Sequence, residues 1–205
     1  DNKLMGRKSG SGFYKKDGKD ILVYDVASKT YREREKVRFD SVGVGKKIEQ
    51  VGERIKMQVL ADDRAGHYAW RVTSRSLCYA ARRVGEIADD IVNIDRAMRW
   101  GFNWQLGPFE TWDALGVAET VKRMQDDKLD VPTWVIEMLE SGRSSFYLAE
   151  QDEIDYWDPG SRSPKKIATD PKHLSLSTRR KRGSPVIKEN LGATIMDLGD
   201  GCLGF

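Results

Sequence analysis

The stretch Glu86–Gly116 reads EIADDIVNIDRAMRWGFNWQLGPFETWDALG. Ile87, Ile91, Ile94 and Met98 recur three and four apart, which predicts a helix over Glu86–Trp100 with one apolar face. Asp89 and Asp90 come early and Arg99 late, each at the end of the helix dipole that suits its charge. Pro108 fits the first turn of a second, shorter helix. Phe109, Trp112 and Leu115 would line the inner side of that helix. Two helices joined by a ring-rich connection point to a mainly α fold.

The same period extends in both directions. Ile48, Val51, Ile55 and Val59 predict a helix over Lys46–Ala61, broken by the run Asp62-Asp63-Arg64-Ala65-Gly66. Trp70, Thr73, Leu77 and Val84 make His67–Val84 the longest candidate, with Gly85 to close it. Val121 and Met124 face inward on Val117–Asp127. Pro132 opens a last helix, with Val135, Met138 and Leu139 on its core side and Gly142 at its end. SSFYLAEQDEIDYWDPG then alternates as strand, polar turn and strand, which places a hairpin at Phe146–Trp157. Residues 46–157 are therefore one compact helical domain with a β finish.

The flanks differ. Residues 1–34 are turn-rich. Asp17-Gly18 is a hairpin turn, and Ile21–Val26 is β-prone, so a ribbon of two or three strands is expected at Ile21–Tyr31. Residues 158–185 read as a linker, within which Ser161–Pro185 holds eight Lys and Arg against Asp170 alone. Pro164, Pro171, Pro185 and Gly183 mark them as a basic linker. Residues 186–205 read as a strand, a Gly-Asp-Gly turn and a second strand.

The chain has 205 residues, 39% of them apolar and 33% charged, which is enough to bury a core and too rich in rings for a disordered chain. Its net charge of +3 is misleading as an average, because the linker alone exceeds it and the remainder is mildly acidic. No apolar window approaches the length of a membrane span, and the start carries no signal-peptide pattern. A cytoplasmic location is expected. Cys78 and Cys202 lie far apart, without metal-ligand spacing, and are expected as free thiols.

Candidate chemistry is sparse. Gly6, Gly10 and Gly12 follow no apolar strand and lead into β-prone residues. GVGKK at Gly43–Lys47 lacks the earlier glycine and the Ser or Thr of a phosphate loop. His67 and His173 have no ligand partners at metal spacing. Asp89, Asp90 and Asp95 share no helix face at the three- or four-residue spacing that couples carboxylates. Asp95 is singled out as a group able to bond nearby backbone. No catalytic, cofactor-binding or metal residue is assigned. The packing or interface candidates are Asp95, Trp100, Phe102, Trp104, Phe109, Trp112 and Asp113. Five large rings in so short a span suit a core with an inter-helix lid, or an association surface.

The motifs also carry a resemblance. Ile94-Asp95-Arg96-Ala97-Met98, Gly101-Phe102, Gly107-Pro108-Phe109 and Asp113-Ala114-Leu115-Gly116 resemble the central motif of the C-terminal helical domain of 3-hydroxyacyl-CoA dehydrogenases. GRKSGSGFY at Gly6–Tyr14 resembles that domain's closing motif, and ESGRSSFY at Glu140–Tyr147 is a shortened second version. NLGATIMDLGDG at Asn190–Gly201 resembles the opening hairpin of an enoyl-CoA hydratase domain.

The resemblance implies a helical bundle with short β hairpins at its ends, taken from the middle of a multifunctional β-oxidation enzyme. Residues 1–34 would be the tail of a first helical domain and residues 46–157 a second, complete one. The parent would oxidise 3-hydroxyacyl-CoA with NAD bound outside this fragment, and would also hydrate enoyl-CoA. The fragment would bind no cofactor and be inactive alone. Its partners would be the NAD-binding and hydratase domains, the acyl-CoA substrate of the parent and a second copy in a homodimer, with no nucleic acid. Ser76–Ile87, SLCYAARRVGEI, carries Arg82-Arg83 in the region where the family's substrate-contacting Asn is expected. The rival reading is a helical interaction module whose basic arm binds anionic lipid or nucleic acid.

Overall fold

A computed structural model describes residues 4–150, 153–168, 185–190 and 192–205. It divides into two compact units, Asp1–Phe39 and Asp40–Phe205.

The first unit is a three-stranded antiparallel ribbon, β1 (Tyr14–Asp17), β2 (Asp20–Asp25) and β3 (Thr30–Arg32), in the order β1-β2-β3. Gly18, at φ 58°, supplies the left-handed corner that the tight β1–β2 turn needs. The Asp25 carboxylate accepts from the amides of Ala27 and Ser28 and so builds the β2–β3 turn.

The second unit holds the helices: α1 (Asp40–Gly45), α2 (Val51–Val59), α3 (Arg64–Arg83), α4 (Ile91–Phe102), α5 (Pro108–Leu115), α6 (Val117–Asp126) and α7 (Thr133–Glu140). A second sheet follows, β4 (Tyr147–Glu150), β5 (Glu153–Asp158) and β6 (Ser163–Lys166), then a third, β7 (Val186–Glu189), β8 (Thr194–Gly199) and β9 (Cys202–Gly204). The mainly α class with terminal hairpins is what the period predicts.

Several boundaries differ, and caps explain most of the differences. The helix expected over Lys46–Ala61 is shorter, α2 at Val51–Val59, and α1 ends before that span begins. The Gln50 side chain accepts from Glu53 N at 2.6 Å, starting α2 and leaving Ile48 outside it. Asp63, expected as part of a breaker, instead starts α3 by accepting from Gly66 N at 2.8 Å. Asp90 accepts from Asn93 N at 2.7 Å, so α4 begins at Ile91 rather than Glu86. Ile87 consequently lies in a turn and is exposed, not on the inner helix face. Residues expected at the head of the linker form β6, which pairs with β5 from Asp155–Lys166 to Asp158–Ser163. Residues 169–184, the rest of the basic segment with His173, lie outside the described residues. Both described thiols are free, Cys78 buried and Cys202 exposed.

The core gathers Ile91, Phe109, Trp112, Met124, Val135 and Phe146, all fully buried. Phe146 is its aromatic hub, with ring centroids 5.1 Å from Phe109, 5.3 Å from Trp112 and 5.7 Å from Trp134. Edge-on and tilted rings at these distances add to the gain from burial. The residue just before β4 thus packs on three helical rings, and the second sheet is fastened to the bundle through it.

Candidate functional site

The expected site residues fall into two groups. Phe109 and Trp112 are core, and Asp95 and Asp113 lie beside them. Trp100, Phe102 and Trp104 are 76%, 71% and 48% exposed. The five rings therefore do not act together.

Asp95 is buried on α4, facing the N-terminus of α5. Its Oδ1 accepts from Phe109 N at 2.9 Å, and its Oδ2 from Glu110 N at 3.1 Å. These amides belong to the first turn of α5, where helical donors lack partners. Asp95 does bond backbone, but of the next helix rather than of its own neighbourhood. Glu110 reaches back to accept from Gly107 N at 2.7 Å. A Cβ at Gly107 would stand 2.4 Å from the Asp95 side chain, so no larger residue fits there. The Gly-Pro-Phe motif is thus a seat for one carboxylate.

Asp113 repeats the device at the other end of α5. It accepts from Phe146 N at 2.7 Å and from Tyr147 N at 2.9 Å. The Tyr147 hydroxyl returns to Asp95 Oδ2 at 2.9 Å. Arg143 braces the same corner, donating to Ser145 O, Phe146 O and, at 2.5 Å, Asp155 Oδ1. The two carboxylates therefore tie α4, α5 and β4 into a closed circuit.

Burial pushes both Asp95 and Asp113 up to about 7, against the hydrogen bonds that lower them. Burial, with Asp95 beside it, raises the Tyr147 phenol as well. Perturbed carboxylates often mark catalysis, but here each oxygen already receives a donor from the chain itself. Asp95, 2% exposed, has no open side at which a substrate proton could be exchanged, and the half-buried Asp113 spends both oxygens on amides. Tyr147, Arg143 and Gly107 stand in the quoted motifs without a site role, and Glu110 is given none. Their signals were the repeated Gly-Arg…Phe-Tyr ending and the Glu three residues after Gly107, the spacing of a capping box.

Among the described residues, no three His, Cys, Asp or Glu side chains converge as a metal site would require. His67 is exposed and pairs with Asp62 at 2.9 Å. The two glycine clusters weighed in the sequence do not fit a nicotinamide dinucleotide: Gly43 and Gly45 lie inside α1, and Gly10 closes a single 3-10 turn at Arg7–Ser9. A pyrophosphate needs a strand leading into a glycine-rich helix N-terminus.

A groove of about 1130 Å³ opens along α2, α3 and α4. Its floor is apolar, including Ile55, Leu77 and Ile94, and Trp104 stands at its edge.

Residues 66–145 match the family model described as 3-hydroxyacyl-CoA dehydrogenase, C-terminal domain. The chain is 40% identical over 196 residues, 96% of its length, to a Bacillus subtilis (strain 168) protein named "Probable 3-hydroxyacyl-CoA dehydrogenase". It is 28% identical over 114 residues, 54% of its length, to a Rickettsia felis (strain ATCC VR-1525 / URRWXCal2) protein named "Putative fatty acid oxidation complex trifunctional enzyme". It spans 24% of the first relative and 14% of the second. No solved structure matches it.

Proposed function

We propose, from the premise that residues 66–145 belong to the 3-hydroxyacyl-CoA dehydrogenase C-terminal domain family, that this chain is the structural part of a fatty acid oxidation enzyme. The larger protein oxidises 3-hydroxyacyl-CoA to 3-oxoacyl-CoA with NAD, and hydrates enoyl-CoA in a further domain. NAD binds outside this chain, whose glycines do not fit it. The helical unit closes the acyl-CoA cleft, spaces the catalytic domains and contributes to a homodimer in the cytoplasm.

The division proposed is residues 1–34 as the end of a preceding helical domain, 46 onward as a second such domain, and 186–205 as the opening of a hydratase-like domain. The strand at Ser163–Lys166, paired with β5, supports drawing the end of the second domain past 157.

The carrying observation is that Asp95 and Asp113 spend their oxygens on backbone amides and Tyr147. A general base must lie within hydrogen-bond reach of a substrate proton; Asp95 is buried away from one, and Asp113 has both oxygens engaged. NADH absorbance with NAD and 3-hydroxybutyryl-CoA tests the reading on this chain beside the product of its full reading frame. Turnover by the full product alone is expected. Turnover by the chain alone would overturn the structural role, and turnover by neither would overturn the dehydrogenase.

A further inference from the structure

We infer that the groove along α2, α3 and α4 docks an amphipathic helix with an acidic flank. This deepens the structural reading by giving it a surface and a partner chemistry, yet it rests only on the groove's own residues.

Size is the first argument. At about 1130 Å³ the groove exceeds most small-molecule pockets, which run roughly 300–1,000 Å³. Two turns of helix, about 11 Å long and about 10–12 Å across with side chains, occupy roughly 850–1,200 Å³. The groove is therefore the right size for a short helical segment.

Its apolar side chains are the second. Val72, Tyr79, Ile87 and Trp104 all line it, and they are 48%, 62%, 68% and 48% exposed. Val72 and Tyr79 are seven apart on α3, so they project from the same side. Large apolar side chains gathered around one concavity, with arginines between them, are the composition of a protein-docking surface.

Charge selects the occupant. The charged residues lining the groove are Arg54, Arg75, Arg82 and Arg83, with no Asp or Glu among them. Arg82 pairs with Asp130 and Arg83 with Glu86. Arg54 donates only to Ile48 O and Gln105, and Arg75 only to Arg71 O, so neither meets a carboxylate among the described residues. Two guanidiniums beside an apolar floor call for an anionic partner. The same face of a second copy would bring arginine against arginine. The basic segment after β6 carries the same sign. Both are disfavoured, and an acidic amphipathic helix remains.

The test is a binding titration on this chain, read by tryptophan emission and calorimetry. The probe is a stapled helical peptide of about fourteen residues, with Leu on one face and Glu flanking it. A control peptide replaces each Glu with Lys. Saturable binding of the Glu peptide is expected, with the Lys peptide at least about tenfold weaker. Arg75→Glu and Trp104→Ala should each weaken the Glu peptide about tenfold or more. Arg54→Glu/Arg75→Glu should reverse the preference between peptides. Circular dichroism and melting of each variant establish that its fold is kept. No binding, or equal binding of both peptides, would overturn the inference. So would displacement of the peptide by equimolar hexadecanoyl-CoA, which would make the groove an amphiphile site. A dimer of the free chain abolished by Trp104→Ala would overturn it in favour of a second copy. Failure of the full-length dehydrogenase assay would leave the peptide result untouched, so the two readings can fail separately.

Discussion

The ribbon of the first unit and the sheet after α7 follow one plan at a constant offset of 133 residues. Tyr14 pairs with Val23 where Tyr147 pairs with Tyr156, and Asp25 with Thr30 where Asp158 pairs with Ser163. Lys29 and Arg162 take the same left-handed corner, at φ 56° and 53°. Each copy has an Asp bonding its own turn and answered by a cation from the next strand, Arg32 on Asp25 and Lys165 on Asp158. Even the entry bond recurs, Tyr24 N to Phe13 O and Trp157 N to Phe146 O, both 2.8 Å. Yet Phe13 is 72% exposed and Phe146 is fully buried. Register and turn are thus local properties of the strands. Burial of the closing motif comes from a helical bundle that offers two carboxylates and an aromatic pocket.

The comparison breaks most sharply at the two phenylalanines. Phe146→Ala should destabilise the second unit by about 3–5 kcal/mol, as buried aromatic truncations do. Phe13→Ala should change stability by less than about 0.5 kcal/mol. All six tryptophans lie in the second unit, so urea unfolding followed by their fluorescence reports that unit, and far-UV circular dichroism adds the strands of the first. Similar losses in the two variants would mean that Phe13 is as much a core residue as Phe146.

Asp113 comes next, because the first ribbon has no described counterpart to it. Asp113→Ala leaves the Phe146 and Tyr147 amides without their acceptor, at about 2–4 kcal/mol for two buried donors. The same unfolding curve measures it. A loss under about 1 kcal/mol would show that water replaces the carboxylate.

How far the sequence foretells this depends on the reach of each interaction. The helices of the core were legible because burial repeats at their own period, as Phe109, Trp112 and Leu115 show. The central motif at Glu86–Gly116, together with the repeated Gly-Arg…Phe-Tyr ending, pointed to the family. The starts of α2, α3 and α4 were misplaced because single side chains at Gln50, Asp63 and Asp90 fix them, and a helical period is blind to a cap. Asp95 and Asp113 were picked out, but their partners were not. Tyr147 lies 52 residues from Asp95, and no local pattern joins them. The aromatic run divides, with Phe109 and Trp112 in the core and Trp100, Phe102 and Trp104 facing solvent. Ring count alone does not say which side of a helix turns outward.

The pH dependence sharpens the contrast further, because only the second sheet is anchored by buried carboxylates. Asp95 and Asp113 sit near 7 when folded, against 3.8 for an ordinary aspartate. Between those values the folded state holds more protons than the unfolded one. Their contribution is greatest below about pH 4 and falls as pH rises through 7. Even one unit of raised pKa is worth about 1.4 kcal/mol. The second unit should therefore unfold at lower urea at pH 8 than at pH 5. A profile that stays flat or rises with pH would mean that amide donors hold both groups ionised throughout.

The smallest effect tests the last bond of the circuit. Tyr147→Phe removes the hydroxyl that donates to Asp95 and keeps the ring, so about 1 kcal/mol should be lost. Tyr14→Phe, at the matching position of an exposed strand, should lose nothing measurable. The hydroxyl also favours the charged form of Asp95, and its removal takes away one of the forces that lower that group. In Tyr147→Phe the fall of stability with pH should therefore extend to higher pH than in the parent chain. A stability loss without that extension would assign the hydroxyl to packing alone. The extension without a loss would show that Asp95 senses Tyr147 electrostatically while the α5 amides hold it in place.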